Sequence, residues 1–230
     1  MSTKENKKIE CKQIEKKEIV LFDLDGTLTN PMIGITKSVQ YALKKFGIEE
    51  PDLWNLTKFI GPPLMYSFET FYGFSKEEAA KAVEYYREYY SPTGIFENKA
   101  YDGMKELLES LKSRGMILAV ATSKPEEYAI RILDHFEMSE YFTYIGGALM
   151  NGRTDKAQVI SYVLETLSAN LDKTIMVGDR EHDILGAKKN HLDSIGVLYG
   201  YGNRQELEKA GADWIVADVD ELREQLIRLN

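Results

Sequence analysis

From Glu18 onward the chain alternates short apolar runs with amphipathic helical periods, and this alternation leaves few folds open. Ile19–Phe22, Met116–Ala121, Tyr141–Ile145, Thr174–Val177, Ser194–Leu198 and Asp213–Val216 each read as a strand of about 4 to 6 residues. Several of these runs carry no polar residue on alternate positions, which suits strands covered on both faces. Helical periods occupy Gly103–Arg114, Pro125–Phe136, Asp155–Ser168, Arg180–Asn190, Arg204–Ala210 and Val219–Leu229. Repeated strand and helix alternation requires right-handed crossovers, so the sequence predicts a three-layer, Rossmann-like α/β core with a parallel sheet.

One interval breaks the pattern. Between Asn30 and Lys99 only helical periods occur, at Thr36–Phe46, Leu64–Tyr72 and Lys76–Tyr90, the last preceded by Ser75 with Glu78 at capping-box spacing. At roughly 150 residues per domain, 230 residues exceed one core by about half. A helical cap inserted after the first strand accounts for the excess. The expected division is a charged tail over residues 1–18, a core made of 19–30 and 100–230, and a cap over 31–99. The tail is rich in lysine and glutamate and reads as mobile.

Charge narrows the partners. With 29 Lys+Arg against 37 Asp+Glu the formal charge is -8, which disfavours a nucleic acid polymer or an anionic membrane. The single cysteine, Cys11, rules out an intrachain disulfide and a cysteine zinc site, and it reads as incidental. The longest purely apolar run, Met116–Ala121, is far short of the roughly 18 residues of a membrane span. With a charged N-terminus, the expectation is a cytoplasmic protein, a monomer or weak homodimer.

Three clusters stand at predicted strand ends, where open parallel sheets bind their ligands, and a fourth, Lys156, stands near the start of a predicted helix. Phe22-Asp23-Leu24-Asp25-Gly26-Thr27 follows the first strand. Residues two apart on an extended chain point the same way, so both carboxylates can face one site. They fit metal ligation, a nucleophile beside a general acid/base, or a polar turn cap. Gly178-Asp179-Arg180-Glu181-His182-Asp183 sets two further carboxylates four residues apart across a helix start, where capping alone would also favour them. Four aspartates at two strand ends exceed what capping needs, and oxygen-only ligation suits magnesium. Thr122 and Ser123, in Ala121-Thr122-Ser123-Lys124-Pro125, read as opening a helix and as an anion site, or simply as its N-cap. Lys156, alone, would read as a solvated surface charge.

In this order the four clusters resemble the haloacid dehalogenase (HAD) superfamily, and a helical cap straight after the first of them resembles its subclass I. The Ile60-Gly61-Pro62-Pro63-Leu64 segment and the Leu198-Tyr199-Gly200-Tyr201-Gly202 loop are similar to the phosphoglycolate phosphatase and 5'-nucleotidase-like branch. The resemblance implies a HAD-like fold and a magnesium-dependent hydrolase of a small phosphate ester, working through an aspartyl-phosphate. Asp23 would be the nucleophile and Asp25 the general acid and then base. Magnesium would be held by Asp23, Asp179 and the backbone carbonyl of Asp25, with Asp183 steadying its water shell or Lys156. Thr122, Ser123 and Lys156 would bind the phosphoryl group, and Gly61, Pro62 and Pro63 would face the substrate from the cap.

Two positions depart from the family pattern. Asn30-Pro31 stands where many relatives carry an aspartate, and Asn190-His191 where a glycine often ends the helix; Asn190 is expected to take the left-handed conformation there. His182 reads as a solvated helix residue rather than a catalytic one. The aromatic residues Phe68, Phe71, Tyr72, Phe74, Tyr85, Tyr86, Tyr89 and Tyr90 read as the core of the cap rather than a pocket lining. A phosphomutase on the same fold and a non-catalytic phosphate-binding module are the alternatives. A true dehalogenase would leave Asp25 and Asp179 without a task.

Overall fold

The computed structural model describes residues 16–149, 153 and 155–230; Cys11, Thr154 and most of the predicted tail lie outside them. Six parallel strands form one sheet in the order β5-β4-β1-β6-β7-β8. They are β1 (Ile19–Phe22), β4 (Ile117–Pro125), β5 (Tyr144–Ala148), β6 (Thr174–Gly178), β7 (Asp193–Val197) and β8 (Trp214–Val216). Two further strands, β2 (Thr29–Asn30) and β3 (Lys99–Ala100), pair antiparallel with each other. The helices are α1 (Met32–Lys45), α2 (Leu64–Tyr72), α3 (Lys76–Tyr90), α4 (Met104–Ser113), α5 (Glu126–His135), α6 (Lys156–Leu167), α7 (Glu181–Lys189), α8 (Arg204–Ala210) and α9 (Val219–Leu229).

The missing polar alternation has the expected cause. Val20 and Phe22 of β1 pack into a large cluster with Leu107, Leu111, Ile132 and Leu226, whereas Ile19 and Leu21 point to the opposite face with Val159, Ile160 and Val163. Both faces are therefore dry, and alternate residues of one strand belong to different apolar layers. Among the described residues no helix is long and apolar enough to cross a membrane.

Between β2 and β3 every element is helical, and these helices share the larger cluster with the sheet through Leu56, Phe59, Phe68, Tyr86 and Tyr90. Phe68 stacks on Phe74 at 5.8 Å and meets Phe59 edge-on at 5.0 Å. These rings form apolar core, as the helical spacing predicts. The capping box of α3 is present, with Glu78 N–H donating to Ser75 Oγ and Ser75 N–H to the Glu78 carboxylate.

Several boundaries differ from the sequence reading. Helix α1 starts at Met32 rather than Thr36, because Asn30 Oδ1 accepts the Met32 N–H at 3.1 Å and Pro31 carries no donor to satisfy. Leu53–Phe59 winds as a 3-10 helix opened by Asp52, whose carboxylate accepts from Trp54 N–H. The third predicted strand is displaced to Tyr144–Ala148, with Ser139–Tyr141 forming a 3-10 turn ahead of it. The tail reading fails at its end: Lys17 is buried, ion-paired with Asp193 at 2.6 Å, and its N–H donates to Leu229 O. After α7 the left-handed residue is His191, with φ 59°, not Asn190. The Asn190 amide instead donates to Gly186 O and Ala157 O, tying α7 to α6.

Candidate active site

The register of the three central strands assembles the site. Phe22 of β1 lies opposite Val120 of β4 and Val177 of β6, so the chain just past these rungs brings Asp23, Thr122 and Asp179 to one edge. β1 is the strand from which the order runs outward both ways, the position at which parallel sheets open a ligand crevice. After Asp23 the chain reverses at once, with Gly26 N–H donating to Thr29 O at 2.8 Å. Gly26 has φ +86°, and a Cβ there would strike the Asp179 carboxylate. A glycine at this point lets two acidic segments approach each other.

Asp23, Asp179 and Asp183 are buried, and their carboxylate oxygens lie within 4.8 Å of one another. Tyr201 N–H donates to Asp179 Oδ2 at 2.7 Å, and Arg180 N–H to Asp183 Oδ2 at 3.0 Å. Asp179 Oδ1 is buried with no hydrogen-bond partner among the described residues. Lys156, the first residue of α6, reaches Asp23 Oδ1 at 2.7 Å, Asp183 Oδ1 at 2.8 Å and Ala121 O at 3.2 Å. The capping box of Asp155 and Gln158 fixes the helix start that carries it.

Asp25 stands apart from the cluster. Its carboxylate is ion-paired with Lys124, and the two side chains are 13% and 6% exposed. The sequence alone points to no role for Lys124, because a lysine two residues past a strand-end threonine carries no periodic signal. Thr122 is buried and Ser123 half-buried, but neither caps a helix: β4 runs on to Pro125, and α5 begins at Glu126 with Glu127 beside it. An acidic first turn does not invite an anion, so any phosphate contact here falls to Thr122 and Ser123 themselves. His182 is exposed, as expected.

The ionisation pattern follows from this layout. Burial pushes Asp179 well above the usual carboxylate range, and Asp183 and Asp23 push it further. Burial also raises Asp183, with Lys156 pulling it back. Asp25 is raised by burial, with Lys124 opposing. Burial works against the Lys156 ammonium, but Asp183 and Asp23 outweigh it and hold its pKa above the ordinary lysine value.

When all are ionised, the four carboxylates exceed the two ammonium groups by two charges, and burial of that excess favours either protonation or a bound cation. The orphaned Asp179 Oδ1 and the all-oxygen donor set fit such an ion.

The helical segment reaches this edge at Gly61, which lies against the Arg180 side chain. Arg180, next to Asp179, donates from Nη1 to Ile60 O at 2.9 Å and from Nε to Glu206 at 2.8 Å, so the loop holding Asp179 also holds the loop before Gly61.

The chain matches the description "Haloacid dehalogenase-like hydrolase" over residues 20–197. It belongs to that family. A 5'-nucleotidase of Pseudomonas aeruginosa is 47% identical, over 90% of this chain and 94% of that protein. A tyrosine-protein kinase PtkA of Mycobacterium tuberculosis is 39% identical, over 92% and 73% respectively. A phosphoglycolate phosphatase of Aquifex aeolicus is 34% identical, over 80% and 85%. Among solved structures, a predicted phosphatase from Clostridium acetobutylicum superposes with a TM-score of 0.89 at 50% identity, covering 93% of this chain and 99% of that one.

Proposed function

We infer that this haloacid dehalogenase-like hydrolase is a phosphatase that cleaves a small phosphate monoester through an aspartyl-phosphate on Asp23. The observation that carries the reading is the unequal placement of two carboxylates two residues apart. Asp23 lies in the acidic cluster against Lys156, and Asp25 lies outside it against Lys124. On this reading one serves as the nucleophile and the other as a carrier of a proton, a division that carboxylate pairs in unlike environments support.

In the first step an Asp23 oxygen forms a bond to phosphorus as the bond to the leaving oxygen breaks. Asp25 supplies the proton that oxygen needs. In the second step Asp25 takes a proton from water, whose oxygen attacks the phosphorus and releases Asp23. Lys156 offsets the charge that gathers between Asp23 and the phosphoryl oxygens, with Thr122 and Ser123 placed to hydrogen-bond them. Asp23, Asp179 and the Asp25 carbonyl would hold magnesium, steadied through Asp183. Bound there, the ion would lower the repulsion between an anionic nucleophile and an anionic ester. The helical segment, with Gly61, Pro62 and Pro63 facing the site, acts as the cap that selects the leaving group.

The test is phosphate release from a panel of 5'-nucleoside monophosphates, phosphoglycolate and sugar phosphates, with and without a chelator. Asp23→Asn should remain folded and lose about 10³-fold or more of the rate. Hydrolysis equal to the parent would remove Asp23 from the chemistry. Isomerised sugar phosphate without free phosphate would indicate a mutase. Phosphotyrosine formed from a nucleotide donor would indicate transfer to protein.

A further inference from the structure

Among the described residues the Asp25 carboxylate is partnered through one oxygen: Oδ2 pairs with the Lys124 ammonium, while Oδ1 is buried with no hydrogen-bond partner. Lys124 is itself held in place. It rides on the extended end of β4, where its N–H donates to Thr122 Oγ1 at 3.2 Å. Its Nζ lies 5.1 Å from the ring centroid of Tyr90, the last residue of α3 in the helical segment.

Tyr90 is fixed from both sides. Its ring stacks on Tyr86 at 5.1 Å and meets Tyr128 of α5 edge-on at 5.5 Å. The joint continues through the Ser91 and Tyr128 hydroxyls, 2.6 Å apart, and through Arg131 Nη2, which donates to Ser91 O at 2.9 Å. A ring over a buried ammonium is favourable when water is excluded. Lys124 thus lies between a carboxyl of the core and an aromatic ring of the insertion.

We propose that Lys124 is a positioning residue for Asp25: it fixes the carboxyl through Oδ2, leaves Oδ1 as the oxygen that gives and takes the proton, and is kept there by Tyr90. The proposal rests on the phosphatase reading above. It makes proton transfer depend on the seating of α3 against α5, because an unseated Tyr90 releases the lysine. Lys156 cannot substitute, since its ammonium is already shared by Asp23 and Asp183.

Leaving-group dependence tests it. p-Nitrophenolate departs without a proton, whereas the alcohol of glycerol phosphate or a 5'-nucleotide needs one, and kcat/KM reports the steps up to that departure. Lys124→Met is expected to lower kcat/KM for alkyl phosphates by about 10²-fold while leaving p-nitrophenyl phosphate within about threefold. Lys124→Arg should recover part of the loss, and Tyr90→Leu should reproduce it in weaker form. These two variants carry the test if Lys124→Met does not fold. Equal losses on both kinds of ester, no loss, or a KM effect confined to esters with a second anionic group would overturn the proposal; the last would make Lys124 a substrate-binding cation. Asp25→Asn is the control for the underlying reading. If it shows no leaving-group discrimination, Asp25 is not the acid and the proposal falls with it; if the parent releases no phosphate, the phosphatase assignment itself fails. If Asp25→Asn discriminates and Lys124→Met does not, only the role of Lys124 falls.

Discussion

The Tyr201 hydroxyl donates to Asn30 Oδ1 at 2.6 Å, and the backbone N–H of the same tyrosine donates to Asp179 Oδ2 at 2.7 Å. Asn30 also accepts the first N–H of α1, so one tyrosine joins an acidic ligand candidate to the entry of the helical segment. Tyr201→Phe removes only the hydroxyl. The expected cost is about 1 kcal/mol, a fall in Tm of about 2–4 °C, with the magnesium dependence of activity unchanged because the main-chain donor remains. Asn30→Asp keeps the acceptor and should stay near the parent in Tm. Thermal melts and a magnesium titration of activity check both.

The crowding of Asp23, Asp179 and Asp183 should make the chelated protein sensitive to pH. A carboxyl whose pKa is raised by folding binds its proton more tightly in the folded state. Its contribution is most favourable below the ordinary carboxylate pKa and is lost as pH rises toward the raised value, the direction set for Asp179 and Asp183. Magnesium should restore that stability at neutral pH and do less in acid, where protons compete with it. At 100 times its Kd the gain is about 2.7 kcal/mol. Calorimetric melts at pH 7.5 and pH 5, with and without magnesium, should show the larger Tm gain at pH 7.5. Equal gains would place the ion elsewhere.

Removing the Lys156 ammonium leaves Asp23 and Asp183 facing each other without a countercharge. Lys156→Met should lower stability by about 3–5 kcal/mol in the chelated protein and cut kcat by about 10²–10³-fold. Its raised pKa keeps Lys156 charged at neutral pH; the stability it contributes is full below the ordinary lysine pKa and fades only above it. Urea melts and steady-state rates read the two effects separately.

Arg180→Lys retains the charge but loses the fork that serves Ile60 O and Glu206 together. Loosening the segment before Gly61 should raise KM by roughly fivefold, about 1 kcal/mol, and leave kcat close to the parent. An equal fall in kcat would show that Arg180 acts on the chemistry and not on the seating of that segment.

The acidic motifs were readable because each sits at a strand end, where backbone register alone decides which side chains meet. Asp23 and Asp179 needed only the order of strands to come together, and Lys156 and Asp183 join them from the first turns of α6 and α7. Lys124 was not readable: its meaning depends on Tyr90, which arrives from a helix inserted elsewhere in the chain. Thr122 and Ser123 were misplaced onto a helix start because Pro125 looked like a first helical position, whereas β4 pairs with β5 up to that proline across a register shift. Asn190 was assigned by propensity to a conformation that its neighbour His191 takes, freeing the amide to bind Ala157 O. Local rules anticipated which charged side chains meet and faltered where distant segments share a contact.

The chain leaves the sheet and returns to it through β2 and β3, paired Thr29 to Ala100 and Asn30 to Lys99. Exit and entry are therefore side by side, and the strand order does not depend on what is strung between them. Such a chain has a socket: recombination can replace the intervening helices without re-routing a single strand. One acidic floor can thereby be fitted with different roofs, provided each supplies its own contact where Tyr90 meets Lys124.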